Sequence, residues 1–190
     1  MSVRTTLRTH TTALRAMLVL TVVLGLAYPA LMLLVGLAMP AQANGSLVRD
    51  ENGTVRGSAL IGQSFVDEAG APLPQYFQSR PSASGYDALA SGGSNLGPEN
   101  PELVEAIRDR QASGATAPDA LTASGSGLDP DISPENALAQ APAVAAARGL
   151  DESVVRELVQ SMIRPRDLGF LGEERVNVLE LNRALDASAR

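Results

Sequence analysis

Apolar positions fall into two regimes along this chain. From Met17 to Met39 they form one run, MLVLTVVLGLAYPALMLLVGLAM, and no charged residue lies between Arg15 and Arg49. As an α-helix that run rises roughly 34 Å, enough to cross a hydrocarbon core of about 30 Å with some tilt. Beyond Pro40 the pattern is that of a folded domain. Segments 47–50 and 54–56 flank Asn52-Gly53, a type I′ turn signal because both central residues take positive φ, so a β-hairpin is expected. SALIGQSF, 58–65, reads as a third strand or an extended segment.

Helical periodicity takes over later. Asn100 caps a helix that starts at Pro101 and runs to about Gln111, with Leu103, Val104 and Ile107 on its apolar face. Ser133 caps a second, with Ala137, Leu138, Ala141, Val144 and Ala145 inward, Pro142 expected to bend or split it, and Gly149 ending it. Asp151 caps a third, with a stripe of Val154, Val155, Leu158, Val159 and Met162 that Pro165 stops. Phe170 and Leu171 form a short apolar segment between glycines. Val176 ends a short strand, and Asn177 caps a last helix bearing Leu181, Ala184 and Leu185. The expected fold class is α+β: a single N-terminal transmembrane helix, then one mixed α/β extracytoplasmic domain with a short β-hairpin or sheet and about four helices.

Charge gives the span a direction. Arg4, Arg8 and Arg15 precede it without any acid, which places that end in the cytoplasm by the positive-inside rule. The expected domains are a cytoplasmic tail at 1–16, the span at 17–39 and an external, periplasmic-side domain at 40–190, giving a single-pass protein of the bacterial inner membrane. Ala41-Gln42-Ala43 has the small-x-small form of a leader cleavage site, but the apolar run is far longer than a leader's usual ~7–15 residues. Length favours a retained anchor; cleavage and secretion is the alternative. Within the span, Thr21, Gly25 and Pro29 are spaced four apart on one helical face, with Tyr28 beside them. Pro29 removes the hydrogen bond to the Gly25 carbonyl and is expected to kink the helix there. Small residues on that face let another helix approach closely, which makes it a candidate docking face.

Composition removes much chemistry. Cysteine, tryptophan and lysine are absent, and His10 is the only histidine. Thiolate nucleophiles, Cys/His zinc sites, Schiff-base lysines and the P-loop lysine are therefore excluded, and no catalytic residue and no metal site is expected. From Arg49 onward acids exceed arginines by nine, so the domain repels nucleic acid and attracts cations. Asp129, Asp131 and Glu135 are the densest acids, but the spacing lacks a full calcium-loop pattern, and Asp129 is expected to organise the turn before Ser133. NGS at Asn44 and NGT at Asn52 read as turn chemistry. Glycine, serine, asparagine and proline dominate 77–101, yet Tyr76, Phe77 and Tyr86 argue for an ordered loop rather than a linker. Within it Ser91, Gly92, Gly93, Ser94 and Asn95 could offer backbone N–H groups to an anion.

Several long blocks carry a resemblance: Tyr28-Pro29, GSALIGQSF at 57–65, YFQSRPSASGYDALASGGSNLGPEN at 76–100, TASGSGLDPDISPE at 122–135 and GFLGEERVNVLELNRALD at 169–186. Through them the chain resembles the KdpC subunits of the bacterial high-affinity potassium pump, the Kdp complex. Two positions depart from that pattern: Asp131 stands where a histidine is usual, and Ala143 where an arginine is. The resemblance implies an accessory, non-catalytic subunit needed for assembly and described as a catalytic chaperone that raises the ATP affinity of the ATPase subunit. It implies as partners a channel-like potassium-binding subunit (KdpA), a P-type ATPase subunit (KdpB) and a very small subunit (KdpF). The complex uses ATP, Mg²⁺ and K⁺, whereas no cofactor is expected on this chain itself. Arg80 and the 91–95 segment are then loop residues placed to touch a partner. The alternative is direct nucleotide binding through ASGGSNL, which requires a cytoplasmic domain.

Overall fold

The computed structural model describes residues 3–50 and 52–188. Parts of the expected tail (1, 2), hairpin turn (51) and domain (189, 190) lie outside the described residues. The chain divides into two compact units after Ser46.

The first unit is a long helix: α1 Val3–Val22, a π-helical turn Val23–Ala27 and α2 Tyr28–Ala38, followed by the short α3 Pro40–Ala43. Its apolar part, Thr6–Ala38, is long and apolar enough to cross a membrane. Helix thus begins well before Met17, and the expected tail is helical where it is described. Disruption falls where Pro29 foretold it, as a widened turn: the Tyr28 N–H donates to the Val23 carbonyl, five residues back. The helix stops at Met39, before Pro40.

The second unit holds β1 Leu47–Arg49, β2 Val55–Ser58, α4 Pro101–Ala112, α5 Pro118–Leu121, β3 Asp131–Ile132, α6 Pro134–Arg148, α7 Glu152–Ser161, β4 Val176–Asn177 and α8 Val178–Ser188. Two small antiparallel sheets result, β1 with β2 and β3 with β4. The hairpin forms, but its turn is centred one residue earlier than expected. The Gly53 N–H closes it on the Asp50 carbonyl, and the Asp50 carboxylate accepts from the N–H groups of Asn52 and Thr54. Residues 59–65 form no strand; that segment is irregular, tied by Gly62 N–H to the Leu128 carbonyl at 2.8 Å.

The four expected helices start at their expected caps: the side chains of Asn100, Ser133, Asp151 and Asn177 accept from the N–H groups of Glu102, Asn136, Ser153 and Glu180. Gly149 ends α6 with φ +66°. Pro142 does not split α6, which runs as one helix through it. The core lies between α6, α7 and α8. Small Ala137, Ala141 and Ala145 let α6 come close, and Val155, Val159, Leu181, Leu185, Ile132 and Val176 fill the space. Val154, expected on the buried stripe, is exposed, and Leu138, Leu158 and Met162 are partly buried. Phe170 and Leu171 are exposed as well, on a tight turn that Asp167 and Leu171 close.

Candidate interaction site

The 76–100 segment is an ordered loop, and one side chain anchors it. Phe77 is fully buried in the helical core, burial that contributes about 2–3 kcal/mol. Asn182 of α8 clasps the same residue: its Oδ1 accepts from the Phe77 N–H at 2.9 Å, and its Nδ2 donates to the Phe77 carbonyl at 3.0 Å. Gln140 of α6 treats Gln78 alike, accepting its N–H at 2.7 Å and donating to its carbonyl at 3.1 Å. Two helices thus complete the hydrogen bonding of a backbone that has no strand partner.

From that anchor the loop meets segments 57–65 and 122–131 in a knot of close backbone approaches. A Cβ on Gly62 would lie 2.3 Å from the Asp129 carbonyl oxygen, and one on Gly127 2.7 Å from the Gly92 carbonyl oxygen. Ser82 donates to the Gly127 carbonyl at 2.7 Å, and the half-buried Tyr86 hydroxyl donates to the Arg80 carbonyl. Burial raises the Tyr86 pKa, which keeps that hydroxyl protonated as a donor.

Arg80 pairs with Asp129 at 3.1 Å, and the other Asp129 oxygen accepts the Asp131 N–H, the turn-organising role expected of it. Asp131 reaches Arg175 at 3.4 Å and accepts from Asn177 Nδ2 at 3.1 Å. Burial, reinforced by neighbouring Asp129, pushes the Asp131 pKa up against the pull of Asn177 and Arg175. Asp119 shows the opposite balance. Burial opposes its charge, yet hydrogen bonds from Ser133 and Asn136 hold its pKa below the usual carboxylate value. These groups border a cleft of about 310 Å³, with Arg80 and Arg175 among Asp119, Asp129, Asp131, Glu173 and Glu174. No cluster of three or more metal-ligating side chains occurs among the described residues.

Other expected site residues are placed as follows. Ser91 Oγ and the Gly92 N–H both donate to the Ser126 carbonyl, and Gly93 packs on Gly125. The Gly92 N–H is thereby spent inside the protein. Ser94 and Asn95 are exposed, the latter at φ +54°. Thr21, Gly25, Tyr28 and Pro29 are exposed on the first unit, with the Thr21 hydroxyl donating to the Met17 carbonyl at 2.8 Å. Sequence reasoning missed Gly62, Asp119, Gln140 and Asn182, because each acts on a partner far along the chain.

A family profile described as "KdpC: K+-transporting ATPase, c chain" matches residues 10–187. The chain belongs to the KdpC family. It is 53% identical over 185 residues to the "Potassium-transporting ATPase KdpC subunit" of Caulobacter vibrioides (strain NA1000 / CB15N), covering 92% of this chain and 91% of that one. The protein of the same description from Kineococcus radiotolerans is 52% identical over 194 residues, covering 96% and 95%. That from Rhodopseudomonas palustris (strain BisB5) is 48% identical over 200 residues, covering 94% and 96%. The family match takes in residues of both units, the apolar helix and the domain alike.

Proposed function

We propose that this chain is the accessory C subunit of a potassium-transporting ATPase, held in the membrane by its apolar helix with the N-terminus inside and the domain outside. The observation that carries this reading is the match over residues 10–187, together with relatives near 50% identity along almost the whole chain. In this role the helix docks through Thr21, Gly25, Tyr28 and Pro29 on the channel-like or ATPase subunit. The glycine-tight 76–100 knot supplies a stiff external surface for assembly. An acid-rich cleft on a domain with nine surplus acids concentrates cations near the pump entrance, an effect that weakens with ionic strength. Any influence on ATP affinity then travels through the complex as coupling between distant sites.

Direct nucleotide binding through 91–95 has less support, because Ser126 already occupies the Gly92 N–H. Affinity purification of the tagged chain from membranes tests the proposal. Co-purification of the other pump subunits, and loss of potassium-stimulated ATPase activity when the chain is omitted, are expected. An active pump that never contains the chain overturns it. A C-terminal reporter active only outside the cytoplasm is expected for the orientation; activity only inside reverses it.

A further inference from the structure

The widened turn in the apolar helix takes α-helical donors away from backbone oxygens. The Tyr28 N–H, which in an α-helix would serve the Leu24 carbonyl, reaches back instead to the Val23 carbonyl, and α2 begins at Tyr28. Pro29 has no N–H. The Leu24 carbonyl thus loses Tyr28 and meets only Pro29 one residue further on, and the Gly25 carbonyl loses its α-helical donor at Pro29. In hydrocarbon such oxygens are strongly penalised unless a neighbour donates to them.

Internal side-chain donors are few. Between Met17 and Met39 only Thr21 and Tyr28 carry hydroxyls. Thr21 donates to the Met17 carbonyl, about two turns before the gap. Tyr28, with its hydroxyl at the end of a rigid ring, is 56% exposed. Nothing lies within 4 Å of the Cβ position of Gly25, so a partner helix can approach that face closely.

We infer that this turn is a hydrogen-bonding seat for a transmembrane helix of another pump subunit, one presenting a Ser, Thr, Asn, Gln, Tyr or Trp donor at the level of Gly25. The partial negative charge of the oxygens selects a donor. Lipid tails have none, and the pump assembly proposed above brings helices of other subunits beside this one, so the occupant is one of those helices. The inference rests on the reading that the helix crosses the membrane and docks.

A benzophenone amino acid at Leu24 or Leu26, in the full chain within the assembled pump, tests it by photo-cross-linking and peptide mapping. Attachment to another subunit's helix, within one turn of such a donor, is expected. Replacing that donor by an apolar isostere then lowers retention of the chain in the purified complex roughly three- to twentyfold. Pro29→Ala or Pro29→Leu, each restoring the missing N–H, shrinks that effect to less than about twofold, with chain abundance in the membrane as the control for folding. Attachment to a helix without a donor, or a donor whose removal changes nothing, overturns the inference and leaves docking standing. Attachment only to lipid or to a second copy overturns docking as well.

Discussion

At the scale of single residues, buried polar side chains hold the domain's loops in place. Asn182 serves both backbone groups of Phe77 at 2.9 and 3.0 Å, deep in the core. Asn182→Ala strands a buried N–H and a buried carbonyl, so a loss of about 2–4 kcal/mol in the urea unfolding of the full chain in detergent is expected. Asp119 carries a pH signature. Its folded pKa is depressed, so its stabilisation is complete above the ordinary carboxylate value and is lost as pH falls through the lowered one. Asp119→Asn should therefore cost more stability at pH 6 than at pH 3, as read from unfolding midpoints. Asp131 has the opposite sign: its raised pKa favours the fold below the ordinary carboxylate value, and that contribution disappears as pH rises through the folded one. Neutralising Asp131 as Asn should thus be least harmful at neutral pH, apart from its pairing with Arg175.

Among the elements, α6 is the one most at odds with its own sequence. Pro142 removes the N–H that would serve the Leu138 carbonyl, yet the helix runs through it, because the flanking Ala141, Val144 and Ala145 are pinned in the core on the opposite side of the exposed proline. Pro142→Ala is expected to raise stability by about 1–3 kcal/mol. Gly149→Ala should lower it by about 1 kcal/mol, because the φ of +66° is costly for any residue with a Cβ. Thermal unfolding of the two variants beside the parent checks both signs at once. The hairpin teaches a related lesson. Asn52-Gly53 located the reversal, but the Asp50 carboxylate, by taking the Asn52 and Thr54 N–H groups, set where the turn closes.

At the scale of the whole molecule, charge and hydropathy are the features that reach furthest. If the acidic domain gathers cations for the pump, the apparent potassium affinity of the purified complex falls as an inert salt is added. Neutralising the exposed Glu173 and Glu174 together to Gln should flatten that dependence; an affinity indifferent to both salt and substitution removes the cation-gathering role while leaving the scaffold. The sequence by itself determined the apolar span, the disturbance at Pro29, the caps at Asn100, Ser133, Asp151 and Asn177, and the family, because each is written in neighbouring residues or in long ordered blocks. Tertiary structure alone decided that Val154 stays outside the covered face of α7, that α6 stays whole, and that Phe77, not a strand, anchors the 76–100 loop. The reason is physical: caps and turns are satisfied within a few residues, whereas the partners of Phe77 and Gly62, namely Asn182 and the Leu128–Asp129 backbone, come near only once the chain has folded.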